Sequence, residues 1–277
     1  MSEGKSYKLF SRPKFDSSSM VAVWNQDVSR LGPRVADYLT GQLEGRELGE
    51  IGPEGFFSLG GVTVEGDVAQ FPESKFYRCR TEDFVIFKSD IPRFDWFGFV
   101  NLVLDIAEKY FKIKRIYTVG GIVLTSAHTT PRTLLSVVNS TAMKGVLDDY
   151  DIVHDMDYET REDQRPTFSS YLLWVAKMRD IPAACLWVPV PFYLMTVEDA
   201  QACKRVLEFL NRHLELNISF ADIDRAVAEQ NQKIAQARGQ FPELDGYISK
   251  LESSLGLTAD EGERLVKKID ELLGDNH

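Results

Sequence analysis

The sequence predicts an α/β protein whose mostly parallel central sheet is flanked by helices and followed by a C-terminal helical extension. Between residues 94 and 190, short apolar runs of strand length alternate with amphipathic helical segments. Strands buried on both faces are typical of parallel sheets, and helices connect them. Of the 277 residues, 44% are hydrophobic and 27% are charged, close to the average of globular proteins.

The first third of the chain combines a buried strand, a helix and several short β segments. Residues 20–24 form an apolar run of strand length, and Val35, Leu39 and Leu43 repeat every fourth residue, which predicts a helix over 32–43. Gly66 and Asp67 predict a hairpin turn. Short β runs punctuated by glycine and proline are predicted over 62–65, 76–79 and 84–87.

The middle of the chain predicts the crossover units of a parallel sheet. Residues 94–111 carry apolar side chains at i, i+3 and i+4 spacing, which indicates a helix. Residues 115–119 form a buried strand that runs into Gly120 and Gly121. A second helix over 169–178 precedes another buried strand over 182–190.

The last quarter of the chain is helical. One long helix is predicted over 196–214, and a second from about Asp222 to Ala237, capped by Ser219 or Asp222 and broken by Pro242. Helices over 246–255 and 258–273 complete the tail, the latter opened by a capping box at 258–261. We therefore predict an α/β domain over 1–219 and a helical extension over 220–277.

Charge, cysteine content and hydropathy exclude several classes of protein. The net charge of −10 argues against a nucleic-acid partner. Cys79, Cys185 and Cys203 are an odd number without a CxxC pair, so they predict buried apolar residues and no disulfide framework or zinc ribbon. The longest apolar stretches, such as 183–190, are too short to span a membrane. The N-terminus lacks the apolar core of a signal peptide, which predicts a cytoplasmic protein without membrane contact.

The first candidate site is the diglycine and the loop after it. Glycines at the carboxyl end of a parallel strand let the backbone approach a ligand, and His128 and Arg132 would then contact an anion or act as acid and binder. The alternative is that Gly120 and Gly121 permit tight packing while His128 is a hydrogen-bonded loop residue. No nucleotide-binding signature is present, so no cofactor is predicted.

Two further stretches are candidate sites. The acidic section 148–163, which contains His154, has carboxylates for a divalent metal but lacks EF-hand spacing, so contact with a basic partner is favoured and no metal site is predicted. Pro191 and Tyr193 belong to a rigid, aromatic rim that lines a pocket or interface, or simply closes the core. No GxSxG elbow or catalytic triad is present, so no catalytic residue is predicted.

Four stretches in order resemble the proteasome assembly chaperone family, of the chaperone-two type found in archaea and bacteria. They are PESKFY at 72–77 with DFVI at 83–86, VGGI at 119–122 with HTTP at 128–131, IPAACL at 181–186, and PFY at 191–193 with the helix over 200–210. The resemblance covers residues 20–220. It implies a phosphorylase/hydrolase-like α/β fold, a homo-oligomer and the binding or assembly of other proteins, without established catalytic residues.

Two departures from the family pattern affect what this resemblance implies. An acid-Ala-Gly turn often follows the family's first strand, whereas Trp24 is followed here by NQDVSRLG at 25–32. The glycine-rich turn before the late helix is replaced by QRPTFS at 164–169. The chain also ends in LGDNH and not in a hydrophobic-tyrosine-X tail, so docking to a proteasome through that tail is not expected.

These observations lead to one functional prediction and one alternative. We predict a non-enzymatic, protein-binding or assembly-chaperone-like homo-oligomer, with a trimer among its possible arrangements and a client protein as a further partner. Its ligand or interface candidates are Gly120, Gly121, His128, Arg132, Pro191 and Tyr193. The alternative is a small-molecule hydrolase or nucleosidase-like enzyme with a pocket around Gly120, Gly121 and His128.

Overall fold

Nine strands pair into one mixed sheet at the centre of the computed structural model, which describes residues 6–58, 63–79, 83–154 and 163–274. The strands are β1 (Tyr7–Leu9), β2 (Ser18–Trp24), β3 (Arg46–Ile51), β4 (Thr63–Glu65), β5 (Val68–Gln70), β6 (Ser74–Arg78), β7 (Phe84–Ser89), β8 (Ile113–Leu124), β9 (Leu134–Val138), β10 (Ile152–Val153) and β11 (Ala183–Pro191). The sheet order is β1-β3-β6-β7-β2-β8-β11-β9-β10, and β4 and β5 form a separate hairpin.

The α/β prediction is confirmed, but the sheet is less parallel than expected. The parallel pairings are those of the central strands β7-β2-β8-β11 and of the pair β9-β10. The pairings β1-β3, β3-β6, β6-β7 and β9-β11 are antiparallel. The connection from β6 to β7 spans only residues 79–83, too few for the crossover that a parallel pair requires. The short β runs of the first third therefore form an antiparallel flank.

Helices cover both faces of the sheet. The helices are α1 (Leu31–Gln42), α2 (Trp96–Phe111), α3 (Thr141–Leu147), α4 (Phe168–Met178), α5 (Ala200–His213), α6 (Ala221–Gln240), α7 (Pro242–Glu252) and α8 (Ala259–Leu273). Alternate residues of β8 point to opposite faces: Tyr117 and Val119 lie in the core under α1 and α5, and Ile116 lies in the core under α2 and α4.

The helical extension packs onto the α/β domain through a shared core. Its buried side chains, among them Ile234, Ile248 and Ile269, belong to the same cluster as Val119 under α1 and α5. Thr258 and Glu261 form the predicted capping box of α8. The division into two units at residue 219 falls between α5 and α6 and stays a prediction.

Several predicted boundaries moved for identifiable reasons. The helix expected from residue 196 begins at Ala200, because the Asp199 side chain accepts a hydrogen bond from the Ala202 N–H and caps it there. Pro242 both ends α6 and begins α7, since proline is well suited to a first helical turn. Gly66 and Asp67 have positive φ and form the predicted hairpin turn between β4 and β5. Residues 59–62, 155–162 and 275–277 of the sequence predictions lie outside the described residues.

The structure shows the burial of the three cysteines and the length and apolar character of the helices. Cys79, Cys185 and Cys203 are all buried and free, and burial raises the pKa of Cys79 and of Cys185 to about 12. Such thiols remain protonated and behave as small apolar side chains. Within the described ranges, no helix combines the length and the apolar character that crossing a bilayer demands.

Candidate functional site

The sequence-predicted site residues meet at the carboxyl ends of the central parallel strands. Gly120 and Gly121 lie in β8, whose last residue, Leu124, pairs with Pro191 at the end of β11. The loop after β8 carries His128 back against Tyr193, in the single 3₁₀ turn that follows β11. In open α/β sheets, ligands bind beyond this edge.

The diglycine makes room for the protein's own side chains. A Cβ atom on Gly120 would lie 2.6 Å from the Trp187 ring, and one on Gly121 would lie 3.0 Å from Cβ of Val28. The first distance is shorter than real Cβ contacts and the second is tighter than most of them, so any larger residue would push these neighbours away. At these two positions the structure therefore has the tight packing that was the alternative to a ligand.

The side chain of Asp27 lies beside the diglycine. Its carboxylate accepts hydrogen bonds from the backbone N–H groups of Val28 at 2.9 Å, Gly32 at 2.8 Å and Gly121 at 3.1 Å. Burial raises the pKa of Asp27 to about 6, and the three N–H groups oppose that shift. The sequence reasoning did not single out this residue, although an acidic side chain just after the first buried strand was a usable signal.

His128 is held by Tyr193 in a neutral form. The Tyr193 hydroxyl accepts a hydrogen bond from the His128 backbone N–H and lies 2.9 Å from Nδ1 of the same residue. Burial and the nearby guanidinium groups of Arg238 and Arg132 lower the pKa of His128 to about 4. The imidazole is therefore uncharged at neutral pH.

Arg132 is committed to a buried ion pair. Its Nε and Nη2 lie 3.0 Å and 2.9 Å from Oδ2 of Asp199, and the two side chains are 3% and 1% exposed. Nη1 donates to the Thr130 carbonyl at 2.6 Å, while Oδ1 of Asp199 accepts from the Ala202 N–H. The pair thus joins the candidate loop to the start of α5, and an anion would have to displace Asp199 to reach this guanidinium.

The helical extension covers the rim formed by Pro191 and Tyr193. Both residues are buried, and α8 packs against the turn that follows β11, where Gly262 lies close to the Phe192 ring. On the other side of the loop, Glu252 of α7 accepts a hydrogen bond from Thr129 at 3.1 Å. The rim is therefore an interface within the chain, between the sheet edge and the extension.

A polar cleft of about 490 Å³ remains beside this edge, between the segment before α5 and the helices α6 and α8. Its charged lining combines cations, such as Arg30 and Lys233, with acids, such as Glu198 and Asp270. Two of these acids have partners: Glu198 pairs with Arg34 at 3.3 Å, and Asp270 is hydrogen-bonded by Thr196. The mixed charge does not select one class of small molecule.

The described part of the acidic section is engaged with neighbouring residues. His154 Nδ1 lies 2.8 Å from the Ser136 hydroxyl and its Nε2 lies 3.7 Å from Asp148. Asp151 contacts Arg205. Among residues 6–58, 63–79, 83–154 and 163–274, no three histidine, cysteine, aspartate or glutamate side chains are grouped as a metal would need.

Comparison with known proteins identifies relatives of this fold. A sequence model of the PAC2 family matches residues 26–238. Among solved structures, Rv2714 of Mycobacterium tuberculosis, a protein of unknown function, superposes with a TM-score of 0.76 at 18% identity, covering 92% of this chain and 90% of that one. No curated protein has a significant match to the sequence.

Two further solved structures carry functional descriptions. The proteasome-assembly chaperone homologue Rv2125 of Mycobacterium tuberculosis has a TM-score of 0.69 at 18% identity, with 83% of this chain and 99% of that one covered. PbaB of Pyrococcus furiosus, an archaeal proteasome activator, has a TM-score of 0.66 at 18% identity, with 85% and 100% covered. At this identity the likeness establishes a shared fold.

Proposed function

This chain belongs to the PAC2 family, and from that premise we propose that it is a non-enzymatic, assembly-chaperone-like protein, a cytoplasmic homo-oligomer that binds other proteins. Support comes from the fold that it shares with a proteasome-assembly chaperone homologue and an archaeal proteasome activator. The partner that these two descriptions suggest for this chain is a protein subunit that is being assembled. They do not indicate which residues of this chain would contact such a subunit.

One observation favours protein binding over small-molecule chemistry: the protein's own residues fill the edge where α/β sheets take ligands. Asp27 lies beside the diglycine, and Tyr193 holds His128 at the mouth of the loop. The helices α7 and α8 then cover that loop and the rim. What remains available for recognition is the outer surface and the polar cleft of mixed charge beside this edge, and extended surfaces are what proteins use to bind other proteins.

The enzyme alternative has less support from the site. A general base must be within reach of a substrate proton, but Nδ1 of His128 is bonded to Tyr193, and Arg132 is occupied by Asp199. The alternative predicts that His128→Ala abolishes turnover of a phosphate- or nucleoside-type substrate while the fold is kept. Our proposal predicts that this substitution leaves partner binding unchanged.

Reciprocal capture in the native host tests the proposal. The full chain is tagged at its natural expression level, bound proteins are quantified, and the best candidate is then tagged in turn. We expect a protein recovered in both directions and in comparable molar amounts. Repeated capture without such a partner, together with turnover that depends on His128, would contradict the proposal.

Assembly activity is tested separately with purified components. The captured partner is assembled with and without the full chain, and the intermediates are followed on native gels. We expect the chain to bind an intermediate and to be absent from the finished assembly. Assembly that proceeds at the same rate and through the same intermediates with and without the chain would contradict an assembly role. The capture experiment would still establish that the chain binds the partner.

A further inference from the structure

A cleft of about 460 Å³ opens at the end of the sheet where the central parallel strands begin. It lies between the first residues of β2, β7 and β8 and Leu214, the residue that ends α5. The closed edge with His128 and Tyr193 is at the opposite end of these strands. Small-molecule sites commonly have volumes of about 300–1,000 Å³. The cleft is therefore large enough to hold a small ligand.

A β-bulge in the pairing of β2 with β8 adds an extra residue at this cleft. Ser18 of β2 pairs with Ile113 of β8. The next residue, Ser19, pairs with Arg115, so Lys114 is left without a partner on β2. Bulges are rare between parallel strands, and they change the direction in which a side chain points.

The bulge brings two adjacent cations to one side of the sheet. Ile113 and Ile116 both lie in the core under α2 and α4, whereas residues three apart on a regular strand point to opposite faces. Arg115 precedes Tyr117 by two positions and shares its face, under α1 and α5. Lys114, the extra residue, lines the cleft together with Arg115. On a regular strand, these two neighbours would point to opposite sides.

The two cations of the cleft are available to a ligand. Lys114 and Arg115 are exposed, and in the part of the chain that the structure describes neither forms a salt bridge or a side-chain hydrogen bond. By contrast, Arg132, Arg179 and Arg238 each bind at least one carboxylate. A chain with a net charge of −10 thus places two adjacent positive charges in a concave site, where they attract an anion.

Two serine hydroxyls add neutral donors to the same cleft. Ser18 donates its hydroxyl hydrogen to the Phe111 carbonyl, on the α2 side of the sheet. Ser17 and Ser19 flank it, so their side chains point to the other side, where they line the cleft. Among the described residues, neither hydroxyl has a hydrogen-bond partner. Both are therefore free to donate to an anion.

This set of donors fits the oxygens of a phosphoryl group. A phosphate monoester carries roughly −1.5 to −2 charges at pH 7 and has three strong acceptor oxygens. The Arg115 guanidinium can bind two such oxygens at once, while the Lys114 ammonium acts as a point charge. The hydroxyls of Ser17 and Ser19 supply further donors. A carboxylate has two oxygens and a single charge, so it would leave part of this donor set unused.

Asp83 indicates what the phosphoryl group is attached to. Its exposed side chain lines the cleft, and its carbonyl accepts a hydrogen bond from the Ser19 N–H at 2.9 Å, so the carboxylate lies beside the donors. A carboxylate repels a bare anion but accepts hydrogen bonds from a hydroxyl or an amine. We propose that the cleft binds a small phosphate monoester whose organic part presents a hydroxyl or an amine to Asp83.

Isothermal titration calorimetry of the full chain tests the site. The probes are glycerol 3-phosphate, ribose 5-phosphate and O-phosphoserine, each of which combines a phosphoryl group with a hydroxyl or an amine. We expect saturable binding of at least one of them at one site per chain, and at least about tenfold weaker binding of inorganic phosphate. Glycerol, which has no phosphoryl group, should not bind. The absence of saturable binding for all three esters would overturn the proposal.

Three variants that each remove one positive charge locate the binding. Lys114→Gln and Arg115→Gln are each expected to weaken binding of the ester at least about tenfold. The matched control, Lys112→Gln, removes an exposed cation two residues away that is not part of the cleft lining, and should leave binding unchanged. All three side chains are exposed, so melting temperatures should stay close to wild type. Equal weakening by Lys112→Gln would overturn the proposal, because a general loss of positive charge would then explain it.

Asp83→Asn tests the recognition of the organic part. Removing the negative charge should strengthen the binding of inorganic phosphate and narrow its disadvantage against the ester at least about threefold. An unchanged ratio would show that Asp83 does not select an ester, which would contradict that part of the proposal. The protein binding of the proposed function does not depend on this cleft, so a failure here and a failure of partner capture are separate results.

Discussion

The carboxyl group of Asp27 should make the stability of this protein depend on pH in a way that one substitution reveals. Burial raises its pKa from 3.8 to about 6. Between those values the folded protein keeps a proton that the unfolded chain has already released. The contribution of Asp27 to stability is therefore fully present below about pH 4 and is lost as the pH rises through about 6.

The expected size of this effect follows from the gap between the two pKa values. A shift of about two units corresponds to about 3 kcal/mol in the free energy of unfolding. Two histidines oppose it: burial lowers the pKa of His128 and of His213 to about 4. Their contribution is lost as the pH falls from about 6.5 toward 4. The wild-type profile mixes both effects, so only a difference between two variants isolates Asp27.

Asp27→Asn provides that difference. Asparagine keeps an oxygen for the N–H groups of Val28 and Gly121 but turns a donor toward the Gly32 N–H, where Asp27 now accepts. We expect the variant to be about 1–3 kcal/mol less stable than wild type near pH 4, because one buried bond is lost. Near pH 7, where the wild type bears a cost of ionisation of about 3 kcal/mol, the variant should be between equal to the wild type and about 2 kcal/mol more stable.

Urea unfolding followed by tryptophan fluorescence at half-unit intervals of pH measures this difference directly. The difference between variant and wild type should change by about 3 kcal/mol across the window from pH 4 to pH 7, with most of the change between the two pKa values. A difference that stays constant over the whole range would refute the reasoning, because it would show that Asp27 ionises in the folded protein as it does in the unfolded chain.

Two further substitutions test the packing of the closed edge. Gly120→Ala places a Cβ 2.6 Å from the Trp187 ring and should lower the free energy of unfolding by about 1–3 kcal/mol. The control Gly145→Ala has open space around its Cβ and should be neutral or slightly stabilising. Equal melting temperatures for the two variants would contradict the tight packing of Gly120. Arg132→Leu strands the buried Asp199 carboxylate and should cost about 3–5 kcal/mol; a loss below about 1 kcal/mol in denaturant titrations would show that the pair is dispensable.

Strong local patterns allowed the sequence to predict most of the central elements. The helix that is now α2 was predicted from apolar spacing, and the buried strands β2, β8 and β11 from mainly apolar runs of strand length. Short or polar strands gave no such signal. β3 contains Arg46, Glu47 and Glu50, and only its pairing between β1 and β6 makes it a strand.

The site was harder to predict because its contacts join distant parts of the chain. From the sequence, His128 was either a ligand-binding residue beside Arg132 or a hydrogen-bonded loop residue. The partners of these two side chains, Tyr193 and Asp199, are more than sixty residues away. The contact between Asp27 and Gly121 spans ninety-four positions. Periodicity reports which face of an element is buried and cannot report which distant side chain fills a particular space.

The central claim, that this protein acts through its surfaces and first of all by binding another copy of itself, is tested most directly by the mass of the full chain in solution. Sedimentation equilibrium over a wide range of concentration gives that mass without assuming a shape. We predict a multiple of the 31.4 kDa chain mass, with dissociation only on dilution. A single species at the mass of one chain throughout the range would contradict the account.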